Sequence, residues 1–129
     1  QAELWKQDYK AALAEAKKTK RAVLLDFTGS DWCGWCIKLK KEVFDQKAFQ
    51  DYAAESLVLV ELDFPKNKPQ DAKVQKQNAG LQQKFGIEGF PTIILVNASG
   101  KEIARTGYLD GGPEKYVEHL RGLLKGKKK

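Results

Sequence analysis

Ala22-Val-Leu-Leu-Asp-Phe-Thr-Gly-Ser-Asp-Trp-Cys-Gly-Trp-Cys36 is the stretch on which the fold turns. Its first seven residues form a continuous apolar run interrupted by one acid, Asp26. Such a run reads as a central strand covered on both faces. Gly29-Ser30-Asp31 breaks it, and a helix fits from about Cys33. In that helix Ile37, Leu39, Lys40, Val43 and Phe44 mix apolar and charged positions.

Upstream, residues 3–18 carry Leu4, Trp5, Tyr9, Ala12, Leu13 and Ala16 among charged neighbours, the spacing of an amphipathic helix with one apolar stripe. Downstream, Asp45-Gln46-Lys47 interrupts the helix, and Ala48 to Glu55 predicts another short one. Leu57 to Asp63 is the next strand, and Phe64 to Gln70, with two prolines, is a loop. Asp71 caps a helix running to about Phe85, with Val74, Ala79, Leu81 and Phe85 facing inward. After the turn-rich Gly86 to Pro91, Thr92–Val96 and Lys101–Tyr108 predict an antiparallel hairpin around Asn97-Ala-Ser-Gly100. Asp110-Gly-Gly-Pro113 opens the last helix, striped by Tyr116, Val117, Leu120, Leu123 and Leu124. Helices between strands require parallel crossovers, and the hairpin adds an antiparallel edge. The expectation is an α/β sandwich: a four-stranded mixed sheet with helices on both faces, preceded by an extra N-terminal helix over 1–20.

The 129 residues suit one domain spanning 1–129, and no apolar run is long enough for a membrane span. The formal charge of +6 invites a test for nucleic-acid binding. Four lysines fall in the basic tail at 125–129, and without them the balance is 19 cationic to 17 anionic residues. A solvated tail explains the excess, so no nucleic-acid partner is expected. The chain begins at Gln1 and contains no methionine, consistent with removal of a leader or with deliberate truncation.

Two cysteines, Cys33 and Cys36, are too few for a disulfide scaffold. A zinc site needs about four ligands, and only His119 is available beyond the pair. A c-type haem motif needs histidine after the second cysteine, where Ile37 stands. A local structural bridge gains little, because loop-closure entropy shrinks with loop length. The favoured use is a redox dithiol, with no metal and no cofactor, and a purely structural bridge stays as the alternative. At a helix N-terminus Cys33 is the more acidic and more exposed thiol, while Cys36, one turn inward, resolves a mixed disulfide. Lys38, Lys40 and Lys41 add positive charge nearby.

Asp26 is the second candidate. A carboxylate in an apolar strand has its pKa raised, and such a group can take the proton from Cys36 when that thiol attacks. The competing reading is a solvent-facing strand-edge acid. Pro91 is the third. Proline is tolerated at the start of a strand, where the trans form is the commoner case. A cis bond there would present the backbone of Phe90 to an extended substrate. Trp32 and Trp35 flank the thiols as docking aromatics, with Gly34 between them; for Trp32, packing filler is the competing reading. Trp5, Tyr9, Phe44, Phe49, Tyr52, Phe85 and Tyr116 are assigned to core or half-core.

Asp26 in a strand, Trp32-Cys-Gly-Trp-Cys36 opening a helix, and Gly89-Phe-Pro-Thr92 before the hairpin together resemble the thioredoxin superfamily over residues 21–124. With Glu42-Val-Phe44 and Leu57–Asp63, the pattern is most similar to the thioredoxin-like proteins of bacterial envelopes, including the thiol:disulfide interchange and disulfide-isomerase-like groups. The resemblance implies the thioredoxin fold, a cis bond at Pro91, Cys33 as attacking thiol, Cys36 as resolver and Asp26 as buried carboxylate. It also implies that the four strands above lie in the order second, first, third, fourth. Three departures mark this chain. Trp35 stands where thioredoxin has proline and many isomerases histidine. One extra residue separates Asp26 from Cys33. The connection over 64–80 is longer, and the helix at 3–18 replaces the family's first strand.

The expected function is protein thiol:disulfide exchange in the reductase or isomerase direction. The partners are substrate proteins with disulfides or thiols and a separate redox protein, the chain acting as a periplasmic or otherwise extracytoplasmic monomer. The alternative is a thioredoxin-fold binding or chaperone module whose Cys33–Cys36 bridge is permanent.

Overall fold

The computed structural model describes residues 4–126. Five strands form one mixed sheet: β1 (Trp5–Lys6), β2 (Ala22–Thr28), β3 (Leu57–Asp63), β4 (Thr92–Val96) and β5 (Glu102–Thr106). Their order is β1-β3-β2-β4-β5. β2 pairs parallel with β3 and antiparallel with β4, with Asp26 opposite both Glu61 and Ile93. The predicted four-strand order therefore holds, with β1 added on the outer edge of β3.

Strand alternation divides the core into two layers. Val23, Leu25 and Phe27 of β2 join Val58, Val60 and Leu62 of β3 on one face. Helices α1 (Tyr9–Thr19) and α4 (Ala72–Phe85) cover that face through Tyr9, Ala12, Ala16, Leu81 and Phe85. Leu24, Leu57, Leu59, Ile93 and Leu95 form the other face. Over it lie α2 (Gly34–Leu39) with the π-helical turn Lys40–Phe44, α3 (Lys47–Ser56) and α5 (Gly112–Gly126). Asp26 follows Leu24 by two residues in β2 and so points to this second face.

Three expectations are corrected. The helix predicted over 3–18, and taken as 1–20 with its flanks, begins only at Tyr9. Asp8 caps it, accepting a hydrogen bond from the Ala11 amide at 3.0 Å. Trp5 lies in β1 instead, packed against Phe44 at 5.1 Å between ring centroids, on the opposite side of the sheet from Tyr9. One helix cannot serve both faces, so the chain rounds the sheet edge between them. In α4 the inward position is Asn78, and Ala79 is exposed. The Asn78 amide donates to the Asp63 carbonyl at 3.0 Å, which satisfies a polar group at a core position. Finally, Lys125 belongs to α5, and the rest of the basic tail is Gly126, at the helix end, and residues 127–129, which lie outside the described residues. No helix among the described residues is long and apolar enough to cross a membrane.

Candidate functional site

Cys33 is the N-cap of α2, and its Sγ accepts a hydrogen bond from the Cys36 amide at 3.2 Å. The two cysteines are disulfide-bonded, with their Cα atoms 5.2 Å apart. The expected difference in exposure is small: Cys33 is 7% exposed and Cys36 4%. Cys36 Sγ also accepts from the Gly29 amide at 3.5 Å, which ties the bridge to the end of β2.

Asp26 is buried, and its Oδ1 has no hydrogen-bond partner. Desolvation raises its pKa well above the ordinary carboxylate range, and the charges of Glu61 and Asp63 push the same way. The strand-edge, solvent-facing reading of Asp26 is thereby excluded. Burial, with Asp26 as a further cause, also pushes the Tyr116 phenol far up. Tyr116 donates to the Gly107 carbonyl at 2.8 Å.

The Phe90–Pro91 peptide bond is cis. Thr92 Oγ1 donates to the Gly89 carbonyl at 2.6 Å and pins this turn. Phe90 meets the Trp32 ring edge-on at 5.7 Å, linking the proline turn to the cysteine segment. Trp32 is both packed and open. Its indole lies so close over Gly29 that a Cβ there would overlap the ring, yet 37% of the residue is exposed. The indole N–H donates to the Phe64 carbonyl at 2.7 Å, and the Lys66 ammonium lies 4.0 Å from the ring centroid. Trp35 is exposed and tilted against Tyr108 at 5.1 Å. A side chain at Gly34 would meet only open space, so no steric demand fixes glycine there.

Several residues of this region escaped the sequence reading. Asp31 accepts from the Lys66 and Asn67 amides at 3.0 and 2.9 Å, and Asp63 accepts from the Ser30 amide at 2.9 Å. Those bonds fasten the 64–70 loop to the segment before Cys33. The Lys66 amide first, and the Asn67 amide with it, also hold the Asp31 carboxyl below its ordinary range. Lys38 pairs with Glu42 at 2.8 Å, and Tyr108 also donates to Glu42. Lys40 pairs with Asp45 at 3.0 Å. The cations expected to assist Cys33 are thus partly answered by neighbouring carboxylates. Glu61 carried a readable signal: it is an acid inside an apolar strand, as Asp26 is.

The exposed large hydrophobic side chains among the described residues are Trp32, Trp35, Ile37 and Leu109. Three belong to the cysteine segment, and Leu109 lines a surface cavity of about 800 Å³ together with Trp35 and Tyr108. Apolar surface therefore adjoins the cysteine segment, whose helix covers the same sheet face that holds a buried acid.

The family model of the thioredoxin-like domain matches residues 9–122. The disulfide bond reductase DsbH of Chlamydia pneumoniae is 36% identical over 119 residues, covering 92% of this chain and 72% of that protein. The thiol:disulfide interchange protein DsbD of Vibrio cholerae is 33% identical over 116 residues, 88% of this chain but only 18% of DsbD. A solved structure of a DsbH oxidoreductase superposes with a TM-score of 0.88 at 36% identity, covering 92% of this chain and 82% of that one.

Proposed function

The chain belongs to the thioredoxin-like family of thiol:disulfide oxidoreductases, and from that premise we propose that it reduces or isomerises disulfides in substrate proteins through Cys33. The observation that carries the reading is the Cys33–Cys36 bridge at the start of α2 on the same sheet face as buried Asp26.

In the reduced protein the Cys33 thiolate attacks one sulfur of a substrate disulfide. The other substrate sulfur leaves as a thiolate, and a mixed disulfide remains. Cys36 then loses its proton to the Asp26 carboxylate, and its sulfur attacks Cys33. The Cys33–Cys36 bond forms, the substrate's second thiolate departs, and two electrons have passed from dithiol to substrate. The backbone of Phe90 beside Pro91, together with Trp32, Gly34 and Trp35, receives the extended substrate segment. A separate dithiol protein returns the pair to the reduced form. The similarity to a disulfide bond reductase supports the reducing direction. The resemblance to envelope proteins supports an extracytoplasmic site of action, with residues 1–129 working as one unit.

Insulin reduction by the reduced protein tests the reading. Cys33→Ser is expected to abolish turnover, and Cys36→Ala to accumulate substrate mixed disulfides. The near-complete burial of both cysteines favours one competitor, a permanent structural bridge. A reduction potential below about −300 mV, with no exchange, would establish that competitor and overturn the proposal.

A further inference from the structure

Asp26, once protonated, needs a way to return its proton to water. Its own Oδ1 is buried and unpartnered, but Asp26 also lines a cavity of about 330 Å³. Glu61 lines the same cavity. The two residues are register partners on parallel strands, so their side chains project from one face of the sheet. Trp5 and Phe44 contribute apolar wall, and Lys40 and Asp45 contribute an exposed rim. Exposure therefore rises in steps, from buried Asp26 to half-buried Glu61 to the solvated Lys40–Asp45 pair. A space of this size admits several waters, at about 30 Å³ each.

We propose that Glu61 carries the proton between Asp26 and solvent through the cavity that the two carboxylates line together. This rests on the reading of Asp26 as the acceptor of the Cys36 proton. When Cys36 attacks Cys33, its S–H bond breaks and Asp26 gains the proton. Asp26 then passes a proton to Glu61, and Glu61 releases one to bulk water. The electrons go with the departing substrate thiolate, so the relay moves protons only. Glu61 touches no reacting atom and acts through Asp26.

The surroundings suit the task. Burial and the Asp63 charge raise the Glu61 carboxyl above its ordinary range, opposed by Lys68 and Lys40. Asp26 is raised by burial, Glu61 and Asp63. Both groups therefore hold protons nearer neutrality than solvated carboxyls do. The other ionisable groups near Asp26 or its cavity are Asp63 on β3, Lys40 and Asp45 at the rim and Tyr116 on α5, and Cys36 belongs to α2, which covers the same sheet face. Tyr116 is committed to the Gly107 carbonyl, Asp63 to Ser30, and Lys40 to Asp45.

The test mixes reduced protein with oxidised glutathione. Release of the second glutathione thiol, which reports ring closure by Cys36, is followed against pH in dilute and concentrated imidazole. Glu61→Gln is expected to slow closure roughly tenfold, less than the ~10²–10⁴-fold contribution of a direct general base. It should also move the Asp26 inflection to lower pH and regain the lost rate in imidazole. Glu61→Asp should keep most of the rate. The unmodified protein should close at a rate independent of imidazole, a measurement that requires no variant to fold. A parent rate that rises with imidazole overturns the relay. So does a Glu61→Gln protein that shifts the inflection without slowing, because Glu61 is then only a neighbouring charge. If Asp26→Asn removes the inflection while Glu61→Gln changes nothing, the relay alone falls. If Asp26→Asn leaves the inflection in place, the reading of Asp26 itself falls.

Discussion

Asp26 destabilises the fold that holds it. Its folded carboxyl keeps a proton at pH values where the unfolded chain has lost one. The folded state therefore binds more protons across that window, and stability falls as pH rises from about 4 until the folded carboxyl ionises. One group sets a slope of at most about 1.4 kcal/mol per pH unit. Asp26→Asn keeps the size and removes the ionisation. The oxidised variant should melt above the parent at neutral and alkaline pH, with the gap closing below about pH 4. Melting curves across pH check this, and a constant gap would contradict it. Gly29 shows the opposite kind of constraint at the same scale, since its lack of a Cβ lets the Trp32 indole lie against the backbone.

At the scale of elements, the 64–70 loop is a clasp on the active segment. Asp31 holds the Lys66 and Asn67 amides, Phe64 accepts from Trp32, and Gln70 donates to the Asp63 carbonyl at 2.9 Å. Asp31→Ala removes the acceptor of two amides. Their hydrogen exchange should rise severalfold, while exchange in β2 and β3 stays unchanged. Uniform acceleration throughout the chain would instead mean global destabilisation. No sequence pattern exposes such a clasp, because its partners are 35 and 36 residues apart. By contrast β2, the helix after Cys33 and the hairpin were legible, each specified by neighbours within a few positions. The same distinction explains the misreading of β1. Leu4 and Trp5 fit a helical stripe, but the sheet face that Trp5 reaches is set by Phe44 and Phe49, far along the chain. Asn78 was missed because a polar residue gives no apolar signal, and its partner is the Asp63 carbonyl, on another element.

For the whole molecule, the exposed large apolar side chains among the described residues are Trp32, Trp35, Ile37 and Leu109, three of them in the cysteine segment, while the others are buried or partly buried. The reactive end of the sheet is thus also the end with apolar surface to offer a protein substrate. Ile37 is 48% exposed and joins neither core cluster, so its truncation tests docking apart from folding. Ile37→Ser should raise KM for insulin up to roughly tenfold, the worth of about 1.4 kcal/mol of partial burial. The rate with a small disulfide such as oxidised glutathione should be unchanged. An equal fall for both substrates would place the damage at the thiols. The cysteine pair was readable from a local motif and Asp26 from its apolar strand, but the cis bond at Pro91 followed only from the family resemblance, and the rim was half readable, because Leu109 joins it from a different loop.

β2 begins beside the far end of α5 and finishes at the cysteines. Ala22 shares a surface cavity with Leu124 and Lys125, at the opposite end of that strand from the disulfide. The molecule therefore has a handle and a working tip. A resin, electrode or dye attached at position 125 alone would present the dithiol outward, orienting the protein through the end remote from its chemistry.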